Sequence, residues 1–472
     1  MQTITLDKLY GGCDDALERY KHLREQFAAH FKGISISDIS YYSAPGRCEI
    51  IGNHTDHNGG RVIAASINMD TIAAAAPNGT DIIRIYSEGH DYIEVSLGDL
   101  NRHADLSRHA DLNRHAVSEN ADLQEQMTLD SYIGYFVSNY SGSAGLVAGI
   151  CQKALEAGYI VKGFDAYITT KVIAAAGVSS SASYEMLICA IINFMFNDNI
   201  ITENECAHFG QYAENVFWNK SSGLMDQITC AVGGAVYMDF RDKEEVTYKK
   251  ADISFEKMGY KLVITNTGKG HADLSHEYSS IPEEMYSVAR ACGCERLCEM
   301  DMGKLISNIN LIDNDRAVLR AIHFFNENER VDKMYDAIGR GDTDTILNLI
   351  GESGTSSWEL LQNCYCSDNV SEQKICLALA LSKDILASTG CGAVDVTATG
   401  DVNGECPVGH ADTCNRRGGV CRVHGGGFAG VIMSVVPVYK ITEYTEYMSK
   451  FFGQSNVHVV DVRQFGAVRV EV

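Results

Sequence analysis

The chain has 472 residues, 45% of them hydrophobic, and a formal net charge of −23. That length supports a large core shared by about two domains. That much negative charge repels nucleic acid phosphates and anionic membrane surfaces, so neither is expected as a partner. No apolar run reaches the roughly eighteen residues that a membrane helix requires. The opening MQTITLDKLYGG has no charged region leading into an apolar one, so no signal peptide is expected. The sixteen cysteines are then expected to be reduced thiols in a cytoplasmic protein.

The first unusual element in chain order is CEIIGNHTDHNGG (Cys48–Gly60), preceded by Arg47. An apolar run ends there in a turn crowded with polar side chains. Asn53 and Asp56 offer acceptor oxygens and His54 a ring N–H, the mixture that a polyol with many hydroxyls requires. Two other readings stand at this point. His54, Asp56 and His57 are zinc-ligand types, although they share one tight turn with no cysteine at finger spacing. Asn and Asp also bond their own backbone in ordinary surface turns.

Asp81–Ser87 (DIIRIYS) and Asp91–Leu97 (DYIEVSL) alternate and are rich in β-branched residues, the pattern of strands. Asn101–Asn120 repeats Arg-His-Ala-Asp-Leu with a period of six, putting His103, His109 and His115 in register. Six matches neither helix nor strand geometry, and no cysteine or carboxylate cage accompanies the histidines, so a surface insert is favoured over a metal tract. A helix is expected within Tyr132 to Ala157, and a strand from Gly163 that enters a small-residue turn at Ala174–Ala176.

AAAGVSSSASYE (Ala174–Glu185) then brings serines to the start of an apolar helix, Ser181–Phe196. Backbone N–H groups at such a start attract phosphate oxygens, while the bland reading is a serine-capped helix. There is no Walker lysine. Thr202 and Glu205 form a capping-box pattern for the next helix. It carries Glu214, and Asp226 opens another helix after the turn at Gly223. Two carboxylates near a phosphate cradle suit Mg²⁺ and a hydroxyl nucleophile, or they are solvated helix-end charges.

Tyr260–Gly268 reads as a strand, and the second half is helix-rich through Arg316–Asp342 and Ser371–Ser388. Cys391–Cys421 is read as an extra loop without metal, since its cysteines lack C-x-x-C spacing. The closing RVHGGGFAG (Arg422–Gly430) permits close backbone approach to a ligand or to a second segment.

Taken in order, the Arg-containing polar turn, the Ser-rich helix start, the Gly-x-Met-Asp segment, NTGKGHADLSHEYSSIPEEM (Asn266–Met285) and the late Gly-Gly-Gly-Phe segment resemble the GHMP small-molecule kinases, and among them the galactokinase branch. The resemblance runs from about Ser43 to Val436. The turn at Gly46–Gly60 is its most specific part.

The resemblance implies an α+β, two-lobed fold: residues 1–245 as an N-terminal lobe of mixed sheet and helices with a left-handed crossover, and 246–472 as a ferredoxin-like C-terminal lobe, with the active site in the cleft between them. It implies ATP-dependent, Mg²⁺-assisted phosphorylation of the anomeric hydroxyl of D-galactose. Asp226 would be the catalytic carboxylate and Arg47 its charge partner. Asn53, His54, Asp56, Gly223 and Tyr278 would line the sugar pocket. Gly177, Ser179, Ser180 and Ser181 would wrap the ATP phosphates, and Ser181 with Glu214 would hold Mg²⁺. The partners implied are a small sugar and ATP.

The chain departs from the family pattern in three places. Asn53 stands where the family's turn most often has Glu. Ile173–Val178 replaces the opening of the family's Pro-x-Gly-x-Gly-Leu-Ser-Ser-Ser loop, and the 101–120 and 391–421 inserts are atypical. The first motivates an alternative substrate, an amino or acidic galactose derivative. The second motivates a sugar- and ATP-binding regulator with weakened turnover.

Overall fold

The structure is a computed structural model that describes residues 1–12, 14–98, 100, 140–173, 177–220, 222–242, 245–268, 275–366, 369–387 and 418–472. The 101–120 insert, the 174–176 stretch and residues 391–417 of the late loop lie outside the described residues.

The strands, in chain order, are β1 (Gln2–Thr5), β2 (Ser40–Ile51), β3 (Arg61–Pro77), β4 (Ile82–Ser87), β5 (Ile93–Ser96), β6 (Phe164–Thr170), β7 (Ala235–Asp239), β8 (Thr247–Ala251), β9 (Tyr260–Asn266), β10 (Val420–Val423), β11 (Val431–Pro437), β12 (Val457–Val460) and β13 (Val468–Glu471). The helices are α1 (Leu6–Tyr10), α2 (Asp14–His30), α3 (Gly142–Glu156), α4 (Ser180–Phe196), α5 (Glu203–Tyr212), α6 (Met225–Val232), α7 (Ser275–Ala291), α8 (Met302–Ser307), α9 (Asp315–Arg340), α10 (Thr343–Ser356), α11 (Lys374–Ala387) and α12 (Ile441–Phe452).

The chain forms two compact units. One comprises Met1–Cys48, Ile63–Ala251 and Val462–Val472; the other comprises Glu49–Val62 and Asp252–Asp461. The division expected at 245/246 thus differs in two respects. The polar turn belongs to the second unit, and the last strand returns to the first. The turn is bonded to Gly425 and Glu327 of the second unit, and the last strand pairs in the first, parallel to β1 and antiparallel to β2.

The first unit is built on a mixed sheet in the order β1-β13-β2-β3-β6-β4-β5, with β7 joined to β3 and β8 to β7. Its central strand β3 is apolar on both faces because both are covered. Ala73 and Ala75 pack with Leu146 and Ile150 of α3 and Met186 and Ile191 of α4. Ile72, Ala74 and Ala76 meet Tyr20, Leu23 and Phe27 of α2, which recur at helical spacing on its buried stripe. Helix α4 is buried nearly all round, as its composition implies. The capping box at Thr202 and Glu205 is present at the start of α5.

The second unit carries a four-stranded antiparallel sheet in the order β10-β11-β9-β12. Its helices enter between β9 and β10 and, as α12, between β11 and β12, which is the ferredoxin-like split arrangement. Ile432 and Val436 pack with Leu379, Tyr444 and Met448. A second cluster joins Ile281, Met285 and Val288 of α7 to Ala321 and Phe324 of α9. Helix α9 is capped at both ends, by the Asn314 side chain and by left-handed Gly341, so it is a firm support for what lies on it.

Candidate active site

In the first unit, Arg47 on β2 meets two of the expected residues. Its Nε and Nη2 donate to the two carboxylate oxygens of Asp226 at 2.7 and 2.8 Å. Its Nη1 donates to the Gly177 carbonyl, and its backbone N–H to Val178 O at 3.1 Å. Close approach makes this possible: a Cβ on Gly46 would stand 2.8 Å from Val178 O. Ser179 sits at φ 60, ahead of α4, and makes no side-chain cap. Its hydroxyl donates to Asp226 instead.

Asp226 lies in the first turn of α6 with 24% of its side chain exposed. Burial acts to raise its carboxyl pKa. The Arg47 charge and the hydrogen bonds from Arg47 and Ser179 outweigh that and hold it below the ordinary carboxylate range. Arg47 is therefore neutralised in a fork-on-fork pair.

Ser180 and Ser181 open α4, where backbone N–H groups have no intrahelical partner. They line an open cleft together with Thr71, Thr170, Tyr184 and Trp218.

Glu214 is buried in a π-helical turn, Ala213–Phe217. It accepts from Lys220 Nζ at 2.6 Å and from Gln227 Nε2 at 3.3 Å. Gln227 also donates to Glu185 Oε2 at 3.0 Å. Burial pushes the Glu185 carboxyl well up, and the nearby Glu214 charge adds to this. Gly223 is exposed, ahead of α6. Glu185, Gln227 and Lys220 were not singled out in the sequence; a carboxylate inside the otherwise apolar α4 was the available signal.

In the second unit the polar turn is held against the Gly-rich segment and α9. Asn53 is fully buried. Its Nδ2 donates to Glu49 Oε1 at 3.1 Å and to Gly425 O at 2.7 Å. Its Oδ1 accepts from Asn363 Nδ2 at 2.8 Å and from Ser357 Oγ at 3.3 Å. An amide has two N–H donors and two acceptor lone pairs, so this side chain has no bond left to offer a sugar hydroxyl. Glu49 is itself paired at 2.6 Å with the fully buried Arg422.

His54 has φ 59 and donates from Nε2 to Gly426 O at 3.0 Å. Burial pushes its ring down to about 4, so it is neutral. The Tyr278 hydroxyl donates to Gly427 O at 2.6 Å. Asp56 begins the 3₁₀ turn Asp56–Asn58 and is half-buried. The three glycines thus serve close approach to a second segment, with Asn53, His54 and Tyr278 each on one of their carbonyls.

This wiring explains Asn at position 53. A carboxylate there would face Glu49 in a buried site and lose two acceptor partners. We expect Asn53→Asp to cost about 3–5 kcal/mol, the range for an uncompensated buried charge, read as a lowered midpoint in urea unfolding. An unchanged midpoint would contradict the wiring.

Helix α9 supplies contacts that the sequence reading passed over. Glu327 Oε1 accepts from the N–H groups of Gly52 and Asn53 at 3.0 and 3.4 Å and from Ser353 Oγ at 2.5 Å. Arg330 Nε donates to Glu327 Oε2 at 2.7 Å. His323 Nε2 meets Asn53 O at 2.9 Å, and Asn328 Oδ1 accepts from Arg61 N at 2.7 Å. The signal was legible in principle: Arg320, His323 and Glu327 recur at helical spacing on a face where apolar residues belong.

Among the described residues no group of three or more His, Cys, Asp or Glu side chains is arranged to hold a metal ion. Mg²⁺ needs fewer protein ligands, because it keeps waters and binds substrate phosphates. The donor set fits it: Ser181 and Glu214 offer hard oxygens, and Glu185 Oε1 is a buried oxygen without a hydrogen-bond partner.

Residues 25–77 match the family model described as the galactokinase galactose-binding signature, and residues 145–234 match the GHMP kinases N terminal domain. A galactokinase of Limosilactobacillus reuteri (strain DSM 20016) is 28% identical over 345 residues, covering 71% of this chain and 79% of that protein. The chain belongs to the GHMP kinases, in their galactokinase branch. It is a sugar kinase, a transferase. The fold of this GHMP kinase agrees. The crystal structure of Lactococcus lactis galactokinase complexed with galactose matches 96% of this chain and all of that one, with a TM-score of 0.69 and 20% identity. The Methanococcus jannaschii mevalonate kinase matches 92% of this chain and all of its own, with a TM-score of 0.56 and 13% identity.

Proposed function

We propose that this kinase transfers the γ-phosphoryl group of ATP to the anomeric hydroxyl of D-galactose, giving galactose 1-phosphate and ADP. The observation that carries the reading is the forked Arg47–Asp226 pair joined to Gly177 and Ser179 at the head of α4. Asp226 orients the sugar hydroxyl as an acceptor. Its depressed basicity means that it takes the proton late, as the new O–P bond forms and the bond to ADP breaks. Arg47 balances charge on the transferring phosphoryl, and the N–H groups opening α4, with Ser180 and Ser181, hold phosphate oxygens. Positioning and charge neutralisation are what phosphoryl transfer chiefly requires. Ser181 and Glu214 would hold Mg²⁺, which when bound neutralises phosphate charge. Tyr184 and Trp218 give the cleft aromatic walls suited to a base.

The sugar assignment rests on the galactose-binding signature over residues 25–77 and on galactokinase relatives. The structure weakens the motive for an amino or acidic sugar. Asn53 spends its hydrogen-bonding capacity inside the protein, on Glu49, Gly425, Asn363 and Ser357.

The test is ADP release with D-galactose, 1-deoxygalactose, galactosamine and galacturonate, with and without Mg²⁺. We expect Mg²⁺-dependent turnover on galactose, none on the 1-deoxy sugar and a lower kcat/KM on the modified sugars. No galactose-dependent ADP would refute the proposal.

A further inference from the structure

We infer that Glu327 and His323, on one face of α9, are positioning residues that set the sugar-recognition turn by gripping the Gly52–Asn53 backbone from both its donor and its acceptor side. The role as a sugar-affinity determinant rests on the function proposed above; the grip itself does not.

The turn needs such a grip. Gly52 has φ 109 and His54 φ 59, and a non-glycine residue in the left-handed region persists only where its surroundings over-determine it. The turn's own bonds supply part of this: Thr55 Oγ1 donates to Gly52 O at 3.0 Å and to Arg61 O at 2.7 Å. They leave the N–H groups of Gly52 and Asn53 unanswered in a buried place, and each such orphan costs about 1–3 kcal/mol.

Glu327 answers both. It is 0% exposed, and a carboxylate so buried is tolerated only when its oxygens are filled. Two backbone N–H groups, Ser353 and Arg330 fill them. Burial opposes its charge, but the Arg330 and Arg422 charges and the Ser353 hydroxyl hold the carboxyl below the ordinary carboxylate range.

His323, also 0% exposed, answers from the other side. The Asn53 carbonyl only accepts, so Nε2 carries the proton, and Nδ1 accepts from the Ser356 hydroxyl at 2.8 Å. One helix face therefore fixes the peptide groups on both sides of Asn53, immediately before His54. Neither side chain needs to touch a substrate to decide where His54 and Asp56 point.

The test compares Glu327→Gln, Glu327→Ala, His323→Gln and His323→Ala. The Gln variants keep a donor or acceptor at nearly the original reach and guard against failure to fold. We expect KM for galactose to rise roughly tenfold or more in both Ala variants, the loss of about 1.4 kcal/mol of sugar affinity. KM for ATP should change less than about twofold, because the phosphate-facing serines are held by other residues. His323→Gln should recover much of the loss, since its amide can still donate to Asn53 O.

The second readout is hydrogen exchange at Gly52 and Asn53, expected to speed up in every Glu327 variant. Folded variants with wild-type KM for galactose and unchanged exchange at these amides would overturn the inference. A wild-type enzyme inactive on galactose would instead refute the proposed function, and exchange at the two amides would still decide the grip.

Discussion

Asp226→Asn should lower kcat by about a thousandfold or more while galactose affinity stays within about threefold, the pattern of a group that acts only as the reaction proceeds. The carboxylate now takes two bonds from Arg47 and one from Ser179. An amide presents one oxygen, so it drops part of that set, and it cannot accept the hydroxyl proton. Single-turnover ADP formation and calorimetric sugar binding separate the two effects. A variant with near-normal turnover would remove Asp226 from the chemistry. The pH profile adds an independent check with a definite sign. The folded carboxyl lies below its ordinary value. Its ionised form therefore contributes stability and activity that persist above the unfolded pKa and are lost as pH falls through the lowered one. Arg47→Met removes the main lowering charge, so the acid limb should move to higher pH. An unmoved limb would show that Arg47 does not control it.

Gly427→Ala should be among the most damaging single methyls in the second unit. Gly427 has φ +80, and a Cβ there would stand 2.1 Å from Asn363 O and 2.6 Å from Asn363 Nδ2. The backbone would have to move. That would disturb the Phe428 N–H bond to Asn363 O at 2.5 Å and the Tyr278 bond to Gly427 O. Strain and overpacking together predict a loss of about 3 kcal/mol or more, with KM for galactose raised. Gly425→Ala is the control. It also has a left-handed φ, +65, but a Cβ there meets nothing within 4 Å, so it should cost only about 1 kcal/mol. Thermal midpoints of the two variants decide the matter; equal losses would show that φ, and not close approach, makes these glycines necessary.

Much of the fold was legible because its local signals agree with their surroundings. The alternation in Ile82–Ser87 and Ile93–Ser96 became paired strands, the capping box opened α5, and the apolar run after the serines became the buried α4. Part of the site was legible for the same reason. Arg47, Gly177, Ser179 and Asp226 announce themselves as a charge, a turn and a helix start, and they meet in the first unit. The roles of Glu327, His323, Arg422 and Glu49 were not legible. A buried polar side chain is defined by its partner, and these partners stand far away in sequence: Glu327 with Gly52, and Arg422 with Glu49.

By itself the sequence determined the chemistry on offer: a forked cation for a carboxylate, hydroxyls at a helix start, and glycines where a backbone must come close. Local composition carries that information because each of these devices needs only neighbouring residues. Only the tertiary structure decided what each group spends its bonds on. Asn53, expected to face a sugar, has both donors and both acceptor sites filled by Glu49, Gly425, Asn363 and Ser357. Hydrogen-bonding capacity is finite, and which partner claims it first depends on how distant segments pack.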